Sequence, residues 1–246
     1  MATEGEKTER DYLALLNTHY GEREGRKFRL KHCNAGRGLR PTETVDHVIA
    51  SSVSPDDEKW ALFDRDSEDQ RDDDIPEAMR KAAAAGVQVA LSHPSFELWL
   101  LLHFQQFSSQ EDGRTSTVLD RLRTHRDAKG FQDYDKQSGD RGKGLGGQRG
   151  ESLVGKENVA VRNARKLVSL CPFGDCSPKN ADFSPIPGPR AETPQVWRLR
   201  SGHGASCDPL KRDPSSDVWR LLATLGIGTE DRREENRTSG GAPFAD

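Results

Sequence analysis

Apolar residues in the first half of the chain follow two different spacings. A spacing of three or four residues predicts amphipathic helices, whereas short apolar runs and strict alternation predict strands. The predicted helices cover residues 9–20, 42–49, 75–86 and 96–107. The predicted strands cover residues 27–33, 60–63 and 87–91. Strands that alternate with helices of roughly ten residues indicate βαβ units, and therefore a parallel sheet with helices on both faces.

The second half of the chain is more helical and more polar. Helical spacing recurs in three segments, at residues 116–126, 159–170 and 217–225. We therefore predict an α/β fold with a catalytic core over residues 1–110 and a helical C-terminal lobe, packed on the sheet, over residues 111–228. The Gly- and Arg-rich stretch 138–155 is expected to be mobile, and its Arg141, Lys143 and Arg149 are candidates for nonspecific phosphate contacts. The polar tail 229–246 is expected to be disordered.

Composition narrows the class of protein but does not select a partner. Hydrophobic residues make up 33% and charged residues 31% of the chain, which favours a modest core with polar loops. The formal net charge of −3 gives no global positive field, so contact with nucleic acid would rest on a local basic patch or on bound cations. No apolar run reaches the length of a membrane span and no signal peptide is evident, so we expect a cytoplasmic protein without membrane association.

Two aspartates follow the predicted strand at residues 60–63. In the string FDRD, Asp64 and Asp66 are two positions apart, which puts both carboxylates on one side of the chain, roughly 6–7 Å apart. Ligands of parallel sheets bind at the carboxyl ends of the strands, and Mg²⁺ prefers carboxylates. The pair is therefore a candidate metal site. The alternative is a solvated acidic loop, because further acidic residues follow at once.

The N-terminal string EGEKTE places a carboxylate before a glycine turn and a predicted helix. Thr8 and Asp11 occupy capping-box positions, and Glu9 is accounted for by helix-start chemistry. Glu4 precedes the cap and is not accounted for in this way, so it is a candidate functional residue. Lys7 is a candidate phosphate contact, the alternative being a solvated lysine.

The apolar helix predicted at residues 96–107 carries two polar side chains. Glu97 lies in the first turn, next to a strand end, so it could face a metal or be stabilised by the helix dipole alone. His103 is six positions further, about 120° around the helix, which argues against one shared site. A histidine in such a helix is more often part of the core.

The four cysteines are expected to be reduced in a protein with no export signal. Three of them and a histidine occur in two short strings, CPFGDC and HGASC. Their spacings suit a Cys₃His zinc site, the alternative being ordinary thiols. The candidate ligands are Cys171, Cys176, His203 and Cys207.

Five segments in order along the chain resemble the RloB/AbiLii family. They are EGEKTE, FDRD, SHPSFELWLLLHF, DYDK at residues 133–136 and DPSSDVWRLL at residues 213–222. They span nearly the whole chain, and five ordered motifs are far more specific than any one of them. The resemblance implies a core over residues 1–110 similar to the Toprim fold of topoisomerases, primases and OLD-type nucleases.

The resemblance also implies an activity and a site. Glu4, Asp64 and Asp66 would be the catalytic and metal-binding residues, with Glu97 as a further ligand of Mg²⁺ or Mn²⁺. Lys136 of the DYDK motif, like Lys7, is a candidate phosphate contact. The substrate would be DNA or RNA, and the role would be bacterial phage defence, often beside an AAA-type ATPase partner.

One feature departs from the family pattern. Relatives carry an apolar strand before EGEKTE, whereas this chain offers only Met1, Ala2 and Thr3, too few for a typical strand. A frayed terminus cannot hold a carboxylate within the tolerance of a metal site. We therefore expect either a start further upstream or a poorly held Glu4.

Two functions are compatible with these observations. The first is a divalent-metal-dependent endonuclease that acts in antiphage defence. The second is a non-catalytic Toprim-like module that binds a partner ATPase or nucleic acid. The enzyme needs intact carboxylates and metal, whereas the module would keep its binding when Asp64 is replaced.

Overall fold

The structure, a computed structural model, describes residues 1–23, 26–33, 35–54, 57–66, 72–110, 114–136, 142–183 and 200–228. Within these ranges it is an α/β protein with a four-stranded, mostly parallel sheet in the order β1-β4-β5-β6 and a separate two-stranded ladder, β2-β3. The strands are β1 (Ala2–Thr3), β2 (Glu22–Arg23), β3 (Arg26–Lys27), β4 (Lys59–Asp64), β5 (Val87–His93) and β6 (Ser215–Ser216). The helices are α1 (Thr8–Tyr20), α2 (Pro41–Ser51), α3 (Asp74–Ala85), α4 (Phe96–Leu102), α5 (Ser116–Thr124), α6 (Gln148–Leu153), α7 (Glu157–Leu170) and α8 (Val218–Thr224).

The centre of the sheet is the parallel pair β4 and β5. Their register runs from Lys59 opposite Val87 to Asp64 opposite Ser92, so both strands end at the same edge. The two strands predicted at residues 60–63 and 87–91 are thus confirmed, and each is longer than predicted. Short, continuous apolar runs like these two are typical of strands that are buried on both faces of a sheet.

Alternate residues of the central strands enter two separate cores. On β4, Ala61 and Phe63 face a smaller core with α2 and α3, while Trp60 and Leu62 face a larger one. The larger core also includes apolar residues of α1, α4, α5, α7 and α8. Helices therefore cover both faces of the sheet, as predicted. Among the described helices, none has the length and apolar character needed to cross a membrane.

The first strand is present although it is only two residues long. Ala2 and Thr3 pair in parallel with Ala61 and Leu62, and the Glu4 amide continues the ladder by donating to Leu62 O at 2.9 Å. The expectation that residues 1–3 are too few to pair, which would leave Glu4 poorly held, is therefore wrong. Burial of the strand beside β4 compensates for its short length.

The strand predicted at residues 27–33 is largely wrong. Only Arg26–Lys27 forms a ladder, with Glu22–Arg23. Further on, the Asn17 side chain accepts from the Leu30 amide at 2.8 Å and donates to Leu30 O at 2.7 Å. The Asn17 side chain thus makes the hydrogen bonds that a neighbouring strand would otherwise make to Leu30. The alternation of apolar and polar residues was therefore not sufficient evidence for a strand.

Helix ends show two further differences from the predictions. The apolar helix that begins at Phe96 ends at Leu102 rather than at residue 107. Thr8 does not cap α1, because it is the first helical residue and Lys7 occupies the N-cap position without a side-chain hydrogen bond. The Gly- and Arg-rich stretch also contains a helix, α6, that was not predicted.

A buried arginine ties α8 to the sheet. The Arg220 guanidinium donates to Gln88 Oε1 at 2.8 Å and lies over the Trp60 ring, 5.5 Å from its centroid. Burial lowers the pKa of Arg220 to about 10, which still leaves it charged at neutral pH. The last predicted helix, at residues 217–225, is confirmed as α8 and packs in the larger core.

The end of α3 gives a test of local stability. Gly86 ends this helix in the left-handed conformation, at φ 64° and ψ 35°. A side chain is strained there, and asparagine is strained less than alanine. Gly86→Ala should lower the free energy of unfolding by about 1 kcal/mol, and Gly86→Asn by less. Urea unfolding of the three proteins measures this, and equal stability of wild type and Gly86→Ala would contradict it.

Candidate functional site

The candidate site lies where β1 and β4 end. Glu4 follows β1 and its Oε2 accepts from the Asp64 amide at 3.0 Å, so the carboxylate of one strand end is bonded to the backbone of the next. The Glu4 carbonyl also accepts from the Leu39 amide at 3.1 Å. Glu4 is therefore held on both sides by backbone contacts.

Asp64 ends β4, Asp66 follows two residues later, and each carboxylate accepts a hydrogen bond from a neighbouring segment. Asp64 Oδ2 accepts from the Phe96 amide at 2.9 Å, at the start of α4, and Asp66 Oδ2 accepts from the Thr115 hydroxyl at 3.2 Å. Arg65, between them, forms a paired contact with Asp72 and also meets His93. Asp64 is thus bonded to the start of α4, whereas Asp66 is bonded to the residue before α5.

The Glu97 side chain is oriented by a hydrogen bond from Tyr134. The Tyr134 hydroxyl donates to Glu97 Oε1 at 2.8 Å and lies 2.7 Å from Thr8 Oγ1. All three residues are buried. Tyr134 belongs to the DYDK string, which explains structurally why that string accompanies the EGEKTE and SHPSFELW segments.

Glu9 is the residue that sequence reasoning missed. It is only 7% exposed, and its Oε1 accepts from the Gly5 amide at 3.1 Å. A Cβ at Gly5 would lie 2.3 Å from Glu9 Oε2, so the glycine is what lets this carboxylate fold back. The position of Glu9 in the first helical turn accounts for its bond to the Gly5 amide. That position did not reveal that the Glu9 carboxylate also interacts with the charges of Glu97 and Asp64.

The carboxylates raise one another's pKa values. Burial, then the charge of Glu97, raises the pKa of Glu9 from 4.5 to about 7. Burial, followed by the charges of Glu9, Glu97 and Asp66, raises the pKa of Asp64 well above its ordinary range. A group of acids that disfavour one another's ionisation is a candidate functional site, because a cation or a proton relieves the repulsion.

Three lysines border this group to different extents. Lys143 lies 3.7 Å from Asp135 and its charge lowers the pKa of Glu9. Lys7 packs over the same loop, since a Cβ at Gly144 would lie 2.7 Å from Lys7 Cε. Lys136 is exposed. From the sequence, Lys143 was predicted only as a nonspecific phosphate contact within a mobile Gly- and Arg-rich segment.

Arg149 holds the described part of that segment in place. Its guanidinium donates to Gly130 O, Gly144 O and the Asp133 carboxylate. The Tyr134 ring lies 5.2 Å from the guanidinium. Arg149 is thus a structural residue of the loop that carries Lys143, rather than a mobile phosphate contact. Arg141, named with it, lies outside the described residues.

The carboxylate group has the chemistry of a site for a hard cation. Mg²⁺ is usually held by one or two carboxylates with water and substrate oxygens completing the shell, so close convergence of all the acids is not required. Two buried oxygens in the motif segments, Glu6 Oε1 and Ser95 Oγ, have no hydrogen-bond partner among the described residues. Such atoms fit groups that bind water or a cation. Glu4, Asp64, Asp66 and Glu97 remain the candidate ligands.

A second group has much closer donor atoms. Among the described residues, one set of three or more His, Cys, Asp or Glu side chains places all its potential ligand atoms within 4.8 Å of one another. That set consists of Cys171, Cys176, His203 and Cys207. The hydrogen bond between the Cys171 and Cys207 thiols lowers the pKa of Cys207 and raises that of Cys171.

His103 is a core residue, as expected. It is 1% exposed, its Nδ1 lies 2.9 Å from Trp99 O, and its Nε2 lies 3.2 Å from the Tyr12 hydroxyl. Burial lowers its pKa to about 4, so it is neutral at physiological pH. It has no contact with the carboxylate group in the described structure.

Fold and site together define an α/β protein with a partly buried group of carboxylates at the carboxyl ends of parallel strands. The chain belongs to the RloB-like protein family, whose sequence model matches residues 1–180. No curated protein and no solved structure matches it. The matched region contains all the candidate carboxylates together with Cys171 and Cys176, and it ends before His203 and Cys207.

The raised pKa of Glu9 predicts how stability depends on pH in the absence of metal. Between pH 4.5 and about 7 the folded chain holds a proton at Glu9 that the unfolded chain has lost. The free energy of unfolding must therefore fall as the pH rises through this window. Glu9→Gln should reduce that slope and raise the stability at pH 8 by about 2 kcal/mol. Urea unfolding in EDTA between pH 4.5 and 8 measures it.

A matched control is Glu151→Gln, which alters an exposed glutamate of α6. It should leave the slope as in wild type. Part of the slope should survive in Glu9→Gln, because Asp64 also has a raised pKa. An identical slope in wild type and Glu9→Gln would show that Glu9 is ionised normally in the fold.

Proposed function

We propose that this protein is a divalent-metal-dependent endonuclease that hydrolyses phosphodiester bonds. The observation that carries the proposal is the group formed by Glu4, Glu9, Asp64, Asp66 and Glu97 at the carboxyl ends of β1 and β4. Parallel sheets bind their ligands at this edge. Buried acids that raise one another's pKa values are costly to a fold and are typical of functional sites.

The residues suggest a division of tasks. Asp64 and Asp66 are the favoured ligands, because Asp64 ends the central strand β4, Asp66 follows it by two residues, and each is oriented by a hydrogen bond. Glu4 and Glu97 complete the acidic side of the site. A bound Mg²⁺ or Mn²⁺ would supply charge neutralisation and activation of the attacking water.

Glu9 has the properties of an acid–base group in this proposal. In the metal-free chain the pKa of Glu9 is about 7, so this carboxyl exchanges its proton readily at neutral pH. In the proposed reaction it would accept a proton from water or return one to a leaving oxygen. Lys143 lies near enough to lower that pKa and is the cation best placed to meet a substrate phosphate. Lys7 packs on the same loop and is a second candidate.

The proposal extends to a role in bacterial antiphage defence, with an AAA-type ATPase as a partner. Its support is the resemblance to the RloB/AbiLii family, and the membership of the RloB-like family is consistent with it. The substrate class is nucleic acid, either DNA or RNA.

Replacing the aspartates tests the nuclease proposal. Asp64→Asn and Asp66→Asn keep the shape of the side chain but remove its charge. Cleavage of DNA, messenger RNA or transfer RNA with Mn²⁺ should fall by roughly 10³-fold or more in each variant. Thermal protection by Mn²⁺ should disappear with it, because a ligand that no longer binds the folded state no longer stabilises it.

The control is Asp46→Asn, which alters an exposed aspartate of α2 that pairs with Lys81. It should retain both cleavage and protection. Cleavage that persists in both Asp64→Asn and Asp66→Asn would remove these residues from the mechanism. Wild-type protein that binds nucleic acid without cleaving it, and keeps that binding in Asp64→Asn, would instead support the non-catalytic module.

A further inference from the structure

The Cys/His group has the dimensions of a tetrahedral metal site. Cys171 Sγ lies 3.6 Å from Cys207 Sγ, which lies 3.6 Å from His203 Nδ1. With Zn–S near 2.3 Å and Zn–N near 2.0 Å, a tetrahedron separates two sulfurs by about 3.8 Å and a sulfur from a nitrogen by about 3.5 Å. A disulfide would need the sulfurs near 2 Å instead. These two separations match ligands of one ion, and all four donor atoms lie within 4.8 Å of one another.

Glycines allow the two ligand loops to meet. Gly174, between the first two cysteines, has φ +75°, and a Cβ there would lie 2.7 Å from Ser206 Oγ. A Cβ at Gly204, next to His203, would lie 2.7 Å from the Asp175 amide nitrogen. Each loop thus has a glycine where the opposite loop makes its closest approach. This close approach brings the four donors within 4.8 Å of one another.

The surroundings suit a bound ion with three thiolates. The Gly204 amide donates to Cys176 Sγ at 3.3 Å, a contact that stabilises negative charge on sulfur. Arg212 is 2% exposed, and its Nε and Nη2 have no hydrogen-bond partner among the described residues. Its charge acts on Cys207. Zn²⁺ with three thiolates and one neutral histidine carries one net negative charge. The Arg212 guanidinium faces both this charge and the Asp217 carboxylate, whose Oδ2 lies 3.7 Å from Arg212 Nη1.

We propose that Cys171, Cys176, His203 and Cys207 bind one structural Zn²⁺ ion. Thiolate and imidazole ligands together favour zinc over the hard cation proposed for the carboxylate group. Four protein ligands leave no open position, which is the pattern of a structural ion. Binding replaces the thiol protons, so up to three protons are released. This site is independent of the nuclease proposal.

The ion would fasten one part of the chain to another. Cys171 and Cys176 follow α7, and His203 and Cys207 precede β6, the strand that pairs with the end of β5. The link closes a loop of 26 residues between Cys176 and His203. Closing a loop of this length restricts the unfolded chain, so the ion should stabilise the fold.

Metal analysis of the full chain, purified without a histidine tag, tests this inference. Wild type should contain about one zinc per chain by elemental mass spectrometry, and a strong chelator should lower its melting temperature. Cys176→Ser and His203→Ala should lose the zinc. Cys33→Ser is the matched control, because Cys33 lies beside the N-terminal amine, outside the group, and should keep it.

A spectroscopic measurement on wild type covers the case in which the variants do not fold. Co²⁺ exchanged for Zn²⁺ should give the visible bands of a tetrahedral thiolate site together with charge-transfer absorption from cysteine. Wild type that holds no zinc and takes up no Co²⁺ would overturn the proposal. So would iron in place of zinc, or zinc that remains in both ligand variants. Nuclease activity does not enter any of these readouts.

Discussion

The parallel pairing of β4 with β5 is the constraint on which the rest of the molecule depends. Its register puts Asp64 opposite Ser92, so one strand ends in an acid where the other turns toward α4. The same pairing directs alternate side chains into two cores, one with α2 and α3 and one with the remaining helices. Apolar burial on both faces supplies the free energy that a group of mutually repelling carboxylates requires.

Three of the acids accept hydrogen bonds from neutral donors of the described chain, two from backbone amides and one from a tyrosine hydroxyl. Asp64 accepts from the Phe96 amide, Glu97 from Tyr134, and Glu9 from Gly5. Neutral donors orient a carboxylate without cancelling its charge, so the acids keep their negative potential for a cation. Arg65 and Arg149, which could have neutralised them, are instead engaged with Asp72 and Asp133.

The two central strands were predicted well, because each is a short, continuous apolar run between polar segments, a pattern typical of buried strands. Residues 27–33 were predicted poorly, because alternation does not reveal that Asn17 will satisfy the backbone of Leu30. Glu9 has an ordinary position in the first turn of a helix, and only the approach of Tyr134 and Lys143, which lie 125 and 134 positions further along the chain, shows its surroundings. For the Cys/His group, the spacing named the residues, but it could not show that two glycine-containing loops meet.

Both edge strands of the described sheet are two residues long, whereas the central strands have six and seven. Short edges open at a smaller cost than central strands, since fewer hydrogen bonds hold them. Glu4 is attached to one such edge. Local opening of β1 would withdraw Glu4, with Met1 and Ala2 leaving the margins of the two cores, while Asp64 stays on the central strand β4. The site can therefore be lost before the whole fold is lost. Amide exchange at residues 2–4 should accordingly report on the site at temperatures where the global fold is still intact.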